Sequence, residues 1–246
     1  MPRPTDVMTL EAVSLKTAMH RLWSDHVIWT RDYIVAALAG AADAEAAANR
    51  LLKNQEDIGN AVVPVYGEGA GKALTDLLKQ HILIAVDLVD AAKSGDNEKF
   101  QENDRKWTDN AEEIAALLSG ANPENWPKAD VVDLLRQHLE LTKGEVVARL
   151  DQNWEKDIEA FDQIFTEILT VADVLTSGII NQFPEKFGGA STMDSSTGDA
   201  GLRTPPADQD AESSPAAPTN PEAEKDITFG GKMTGFDVGG MRGTGD

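Results

Sequence analysis

The pattern of apolar residues along the chain predicts long amphipathic helices. Apolar side chains recur three and four residues apart, and no two-residue alternation typical of a half-buried strand appears before residue 187. Gly, Pro and Asn interrupt the pattern and place the predicted helices at about 9–38, 43–63, 70–93, 98–118 and 128–183. The sequence therefore predicts an all-α fold, an antiparallel up-down helical bundle of four to five long helices.

Two features of this pattern locate the ends of helices. Pro64 lacks a backbone N–H, so the second helix is expected to stop there. The last region spans about 55 residues, which is unusually long for one helix, and a break near Gly144 or at residues 151–153 is expected. The apolar stripe of this region is Val132, Leu135, Leu139, Val146, Leu150, Trp154, Ile158, Phe161, Phe165, Ile168, Ala172 and Leu175.

Composition and charge narrow the class of partner. The chain has 246 residues, a formal net charge of −20 and no cysteine. Nucleic acid and anionic membrane both require a basic surface, so neither is an expected partner. The lack of cysteine excludes disulfides and thiolate metal sites and suits a reducing cytosol. No apolar signal-peptide core and no run of about 18 apolar residues occurs, so we expect a cytoplasmic protein.

The composition changes after residue 187 and divides the chain into three predicted parts. Residues 1–187 form the helical bundle domain. Residues 188–226 are mostly Gly, Ala, Ser, Thr, Pro, Asp and Glu, which bury too little to offset their ordering entropy, so they form a predicted disordered linker. Apolar residues return in 227–246, and a short apolar motif beyond a long tether predicts docking onto a partner.

Histidines lie on or beside the apolar stripes of three predicted helices. His26 and His81 lie within the stripes of the first and third helices, and His138 lies beside the stripe of the last. A buried imidazole needs a partner, because an unsatisfied polar group in a core costs about 1–3 kcal/mol. With up-down packing and a rise of about 1.5 Å per residue, these histidines are predicted to lie at the same depth in the bundle as polar residues of adjacent helices, including Asp57 and Asn110.

The common depth predicted for these polar residues supports two hypotheses, a metal site or a structural network. Imidazole with carboxylate in a bundle core suits iron or another divalent metal, and the ligands would be His26, Asp57, His81, His138 and Glu145. The alternative is a buried hydrogen-bonded layer that fixes helix register, with Arg31 or Arg149 pairing the carboxylates. The Glu-x-x-His pairs of ferritin-like di-iron proteins and the HExxH motif are both absent from the sequence.

The end of the chain carries a short motif. Residues 236–243 read FDVGGMRG, and ITFGG at 227–231 matches part of it. This segment resembles the C-terminal targeting peptides of encapsulin cargo proteins, whose pattern is apolar-x-Val/Ile-Gly-Ser-Leu-Arg/Lys; here Gly240 replaces the Ser and Met241 the Leu. The resemblance implies a cargo protein inside a cytoplasmic encapsulin nanocompartment. The residues that would dock onto the encapsulin shell protein are Phe236, Val238, Gly239, Met241 and Arg242.

The chemistry of this segment agrees with docking. Its apolar side chains can fill pockets, its glycines allow close approach of the backbone, and Arg242 offers a charged anchor. Typical encapsulin cargo (ferritin-like and hemerythrin-like bundles, peroxidases) implies iron handling or oxidative-stress defence. The alternative function is a non-enzymatic helical interaction protein with a structural polar layer and a C-terminal partner-binding peptide.

The predicted bundle resembles a family of uncharacterised bacterial helical-bundle proteins. The likeness runs from about His20 to Phe187, through LWSDHVIWTR, RLLKNQEDIGN, VYGEGAGKALTDLLKQHI, WTDNAEEIAALLSGANPENW and HLELTKGEVVARL. It implies a helical fold and brings no particular activity. The residues leave open whether the protein is an enzyme and whether it forms homo-oligomers.

Overall fold

The computed structural model describes residues 8–188 of the chain. These residues form five helices and no strand, and the all-α prediction is confirmed. The predicted docking peptide 227–246 and the linker 188–226, except for Gly188, lie outside the described residues. The elements are α1 (Leu10–Ala39), α2 (Ala44–Ser94), α3 (Asn97–Ala121), α4 (Lys128–Leu150), α5 (Trp154–Gln182) and a short 3-10 turn (Pro184–Lys186).

α2 consists of two helical segments that meet at Gly67 without a loop. Gly67 has φ 82° and ψ 167°, a combination that is essentially restricted to glycine. We name the segments α2a (44–66) and α2b (68–94). Pro64 lies inside α2a, so the predicted helix end at Pro64 is wrong by about one turn. A missing N–H near the end of a helix costs only one hydrogen bond, whereas reversing the chain requires a residue free to adopt a positive φ.

The two segments of α2 pack against each other as a close antiparallel hairpin. A Cβ on Gly59 would lie 1.9 Å from Oγ1 of Thr75, and a Cβ on Gly71 would lie 2.7 Å from the carbonyl oxygen of Gly59. Further from the break, Nζ of Lys79 lies 2.6 Å from a carboxylate oxygen of Glu56. The two glycines therefore let the backbones approach more closely than any other residue would allow.

The helices form a closed ring with alternating directions. Each helix packs against the next one along the chain, and α5 packs back against α1. The links at Gly40, Gly95 and residues 151–153 lie at one end, named the upper end, and Gly67 and Asn122 lie at the lower end. Short links of this kind make consecutive helices antiparallel. The link at 151–153 confirms the predicted break in the last helical region.

Two apolar clusters fill the ring. The larger cluster occupies mainly the lower half and includes Trp23, Trp126 and Ile168. The smaller cluster occupies the upper half and includes Ile34 and Leu51. Polar side chains lie at the depth where the two clusters meet, and they form the candidate site described below.

α5 is the one helix of residues 8–188 that is long and apolar enough to cross a membrane, and half of its apolar window is buried inside the bundle. Its buried residues include Ile164, Ile168 and Ala172, which pack in the lower apolar cluster. At the start of the helix, Trp154 and Ile158 are 53% and 57% exposed. The predicted apolar stripe therefore does not face the core in the first turns of α5.

Candidate functional site

One polar side chain from each helical segment of residues 8–188 lies at the same depth in the bundle. Each of the six lies between 11 and 13 residues from the upper end of its segment, which is roughly 16–20 Å along the helix axis. All of them are at most 6% exposed. We name this set the histidine layer, and it confirms the predicted coincidence of depth. Its members are His26 (α1), Gln55 (α2a), His81 (α2b), Asn110 (α3), His138 (α4) and Glu167 (α5).

The layer is organised as three pairs, each joining a histidine to a polar side chain of the next helical segment. In every pair the histidine uses its Nδ1 atom, and the distances are 3.3, 2.9 and 2.9 Å in chain order. Each pair therefore connects two neighbouring segments of the ring. The pairs are His26 with Gln55, His81 with Asn110, and His138 with Glu167.

The hydrogen bonds of Asn110 determine which nitrogen of His81 carries the proton. Nδ2 of Asn110 donates to the carbonyl oxygen of Leu77 at 3.1 Å, so Oδ1 faces His81 and accepts from its Nδ1–H. Burial, together with the nearby His138, lowers the pKa of His81 to about 3, so the ring is neutral near pH 7. Nε2 of His81 is therefore an unprotonated nitrogen with a free lone pair.

Glu167 sets the proton of His138 in the same way. Oε2 of Glu167 accepts from Nδ1–H of His138 at 2.9 Å, which leaves Nε2 as the ring nitrogen that is not engaged by Glu167. The other carboxylate oxygen, Oε1, is buried and has no hydrogen-bond partner within residues 8–188. The pair thus presents a ring nitrogen and a carboxylate oxygen that are both available to contact a bound molecule or ion.

His26 differs from the other two histidines. Nε2 of Gln55 donates to the carbonyl oxygen of Leu51 at 2.8 Å, and its second hydrogen is shared between Oδ1 of Asn54 at 3.2 Å and Nδ1 of His26 at 3.3 Å. The neutral ring of His26 then carries its proton on Nε2. Burial, followed by the charges of the two nearby imidazoles, lowers the pKa of His26 well below its ordinary value. In His81 and His138, Nδ1 is therefore engaged by an oxygen acceptor and Nε2 is not, whereas Nδ1 of His26 faces an amide N–H.

A small cavity lies on each side of the histidine layer, and all three histidines line both cavities. The lower cavity has a volume of about 40 Å³ and almost wholly apolar walls. The upper cavity has a volume of about 20 Å³, and its walls include Thr30, Tyr33 and Thr142. The ring centroids of His26 and His138 are 5.7 Å apart. The imidazoles thus border the same open space.

Buried polar atoms without hydrogen-bond partners cluster around the layer. In residues 8–188 there are five such atoms, and four of them belong to Gln55 (Oε1), Glu167 (Oε1), Trp23 (Nε1) and Trp107 (Nε1). The Trp23 ring centroid lies 5.7 Å from that of His26, and the Trp107 centroid lies 5.0 Å from that of His81. An unpaired buried polar group costs about 1–3 kcal/mol, so this concentration indicates a place that takes up water or a ligand.

Glu145, a ligand in the sequence-based hypothesis, is not brought to the histidines. Its Oε1 lies 2.5 Å from Nη1 of Arg31, which also binds Asp157, and Arg149 binds Asp157 in turn. Burial raises the pKa of Glu145 to about 7, and Arg31 opposes this rise. Glu145 therefore belongs to a separate charged network with Arg31, the partner that the network hypothesis assigned to a carboxylate.

Asp57 is not brought to the histidines either. Its Oδ1 lies 2.7 Å from Nζ of Lys53 on the outer side of α2a, and Gln55 occupies the layer instead. The predicted depth was correct and the predicted side of the helix was not. Depth follows from counting residues, whereas the side depends on how the packed helix is rotated.

Gln55 and Glu167 are the members of the layer that the sequence analysis missed. Both interrupt apolar stripes: Gln55 lies four residues after Leu51, and Glu167 lies three residues after Ile164. A polar residue at a stripe position was therefore the available signal for both. The same signal identified the histidines.

Comparison with family models, curated proteins and solved structures finds no match to this chain. As the side chains stand in residues 8–188, no group of three or more His, Cys, Asp or Glu residues is arranged to hold a metal ion. The predicted docking residues Phe236, Val238, Gly239, Met241 and Arg242 lie outside the described residues. Function is therefore inferred from the chemistry of the histidine layer and from the sequence of the tail.

Proposed function

We propose that the bundle binds a divalent transition metal such as iron at the histidine layer. The observation that supports this is three buried imidazoles from three helices, bordering common cavities, each with its Nδ1 engaged by a neighbouring side chain. Metal-binding histidines are ordinarily held in this way, with one ring nitrogen bonded to a carboxylate or carbonyl oxygen and the other left for the metal. His81 already presents an Nε2 lone pair, and Nε2 of His138 is the ring nitrogen that Glu167 leaves unengaged.

Binding requires rearrangement, because the side chains do not form a complete ligand set as they stand. The rings of His26, His81 and His138 must turn their Nε2 atoms toward one point, and the cavities on both sides of the layer leave room for this. His26 must also move its proton from Nε2 to Nδ1, where Oε1 of Gln55 accepts it after the amide rotates. Glu167 supplies the carboxylate, through its unpartnered Oε1.

The lowered pKa values of His26 and His81 favour metal binding at neutral pH. A histidine ligand must be neutral, and protons compete with the metal wherever the ring is protonated in the free protein. Burial keeps both rings neutral, so little competition from protons is expected above about pH 6. An imidazole-rich site with carboxylate suits iron, zinc or manganese.

Metal content of the full-length protein tests this proposal. Protein purified without chelator is analysed by mass spectrometry for metals and titrated with Co²⁺, whose visible absorption reports ligation by nitrogen and oxygen. We expect stoichiometric metal in the wild type and its loss in His81→Ala and His138→Gln. His20→Ala is the matched control, because His20 is partly exposed and contacts Asp173 at 2.6 Å. The proposal fails if His81→Ala remains folded and holds as much metal as the wild type.

The second candidate for the layer is a purely structural role. It is favoured by one observation, that each histidine is hydrogen-bonded to a separate neighbour on the next helical segment. Such pairs fix helix register, because a shift of one turn would leave every member unpaired in the core. Absence of Co²⁺ binding in the wild type, together with destabilisation of the histidine variants, would favour this role.

We also propose that the C-terminal segment docks the bundle as cargo inside an encapsulin nanocompartment, where it takes part in iron handling or oxidative-stress defence. The support is the sequence FDVGGMRG at 236–243, with apolar residues spaced to enter pockets and Arg242 as a charged anchor. The iron-binding proposal and the cargo proposal agree with each other but rest on different residues.

Co-purification with a shell tests the cargo proposal. The full chain, a variant lacking 227–246 and a variant with that segment scrambled are each co-expressed with the encapsulin shell protein of the same genome. We expect only the full chain to enter the shell, while all three keep the same helical circular dichroism. Encapsulation of the truncated chain at the wild-type level would exclude docking through this segment and leave the alternative of a different partner.

A further inference from the structure

The lower cavity extends from the histidine layer toward Trp126 at the lower end of the bundle. All five helices of the described bundle contribute to its walls, which are mostly Leu, Ile and Val with Met19 and two tryptophans. Its volume of about 40 Å³ compares with roughly 10–15 Å³ for one water on the same scale. The cavity therefore has room for a molecule of roughly two to four heavy atoms.

Most of this cavity is unsuited to water. A buried water needs two to four polar partners, and the walls away from the histidines are apolar side chains. The indole N–H of Trp126 is already used, because it donates to the carbonyl oxygen of Val174 at 3.2 Å. Apolar cavities of this kind stay dry and take up apolar guests.

The end of the cavity at the histidine layer is chemically different. Trp23 lines it there and is 5% exposed, and its indole N–H has no partner within residues 8–188. The rings of His26, His81 and His138 close the same end. A guest in the cavity therefore meets an apolar wall along most of its surface and a group of nitrogens at one end.

We propose that the lower cavity is a binding site for a small nonpolar molecule of the size of dioxygen, held against the histidine layer. The apolar walls favour such a guest over water, and the indole N–H of Trp23 provides a weak donor to its near end. This inference does not depend on a bound metal. If the proposed metal site is also correct, the guest lies beside the metal.

Two probes test the site in the full chain after metal has been removed with chelator. Methyl NMR spectra recorded under dioxygen and under nitrogen report paramagnetic relaxation of each methyl group by dissolved dioxygen, and ¹²⁹Xe NMR reports binding of xenon. We expect the largest oxygen-induced relaxation at Met19, Ile58, Leu74 and Val171, which line the cavity. Val27 is the internal control, because it is 1% exposed and lines neither cavity.

Variants that change the volume of each cavity make the test specific. Val171→Leu adds a methylene group to the wall of the lower cavity, and Val131→Leu does so from α4. Ala85→Val adds two carbon atoms to the wall of the upper cavity, more than either lower-cavity variant adds, and is the control. We expect the two lower-cavity variants to lose most of the xenon shift and of the oxygen-induced relaxation, and Ala85→Val to keep both.

Two results would overturn the inference. The first is oxygen-induced relaxation at Met19 and Ile58 no larger than that at Val27. The second is an unchanged xenon response in both Val171→Leu and Val131→Leu, with both variants folded by circular dichroism. Because the protein is metal-free in these measurements, a negative metal titration has no bearing on their outcome, and the two proposals fail independently.

Discussion

Nδ1 of His81 lies 2.9 Å from Oδ1 of Asn110, whose Nδ2 donates to the carbonyl oxygen of Leu77. The three groups form a chain of two hydrogen bonds across the contact between α2b and α3. The outer bond orients the amide, and the oriented amide places the proton of His81 on Nδ1. Asn110 lines neither of the two cavities beside the histidine layer, yet it decides which nitrogen of His81 is free.

Removal of the Asn110 amide is expected to destabilise the fold. In Asn110→Leu, the buried N–H of His81 loses its partner and the carbonyl of Leu77 loses its second donor, so we expect the free energy of unfolding to fall by about 1–3 kcal/mol. Urea denaturation followed by circular dichroism measures it. Lys106→Leu, on the exposed side of the same helix, is expected to stay within about 0.5 kcal/mol of the wild type. Equal effects of the two substitutions would exclude this role for Asn110.

The buried histidines are expected to make stability depend on pH. The unfolded chain protonates His26 and His81 near pH 6.5, whereas the folded state keeps them neutral, down to about pH 3 for His81. Below pH 6.5 the unfolded state binds more protons, so the free energy of unfolding falls as pH is lowered and is fully retained above pH 6.5. At pH 5 the expected loss from His81 is about 2 kcal/mol, and His26 adds to it in the same direction.

Urea denaturation at pH 7.5 and pH 5.0 measures this dependence. His81→Gln is expected to remove the part of the loss that His81 causes, because that group no longer titrates. Two results together would exclude control of the pH dependence by the histidines. The wild type would have the same free energy of unfolding at pH 7.5 and pH 5.0, and so would the Glu145→Gln variant.

Glu145 is expected to change the pH dependence of stability in the direction opposite to that of the buried histidines. Its pKa is about 7 in the folded state and about 4.5 in the unfolded chain, so between these values the folded state holds a proton that the unfolded state has lost. This group therefore lowers the free energy of unfolding as pH rises through the window. Glu145→Gln should make stability rise more steeply between pH 5 and 7 than in the wild type, by about 1–3 kcal/mol.

The same denaturation series measures the effect of Glu145→Gln. Glu140→Gln, which replaces an exposed carboxylate on the same helix, is the matched control. Curves for Glu145→Gln and wild type that run parallel from pH 5 to 7 would show that Glu145 is ionised throughout this range in the folded state.

The α2 hairpin is expected to tolerate no side chain at Gly59. A Cβ there would lie 1.9 Å from Oγ1 of Thr75 and 2.6 Å from the carbonyl oxygen of Gly71, so Gly59→Ala must push the segments apart. We expect the free energy of unfolding to fall by about 1–3 kcal/mol. Gly144→Ala is the control: its Cβ would meet nothing within 4 Å, and higher helix propensity should stabilise the fold by about 0.5–1 kcal/mol. Stabilisation by both substitutions would mean that the hairpin is not closely packed.

The limits of sequence reasoning show most clearly at Asp57 and Trp154. Counting residues from a predicted turn placed Asp57 at the correct depth, but the packed helix turns it toward Lys53 and solvent. Trp154 continues the periodic stripe of the last region, yet it is 53% exposed because the chain breaks at 151–153 and α5 starts again with a different rotation. Periodicity describes one helix, and rotation depends on the helices around it.

By itself, the sequence determined the helical fold, most of the helix ends and the depth of the three histidines. These follow from local chemistry: apolar spacing, breaker residues and a constant rise per residue. Only the tertiary structure decided the rest. It paired each histidine through Nδ1 with Gln55, Asn110 or Glu167, diverted Glu145 to Arg31, and left small cavities beside the rings. Such contacts join residues far apart in the chain, and they depend on how the helices rotate and pack against each other, which no local pattern records.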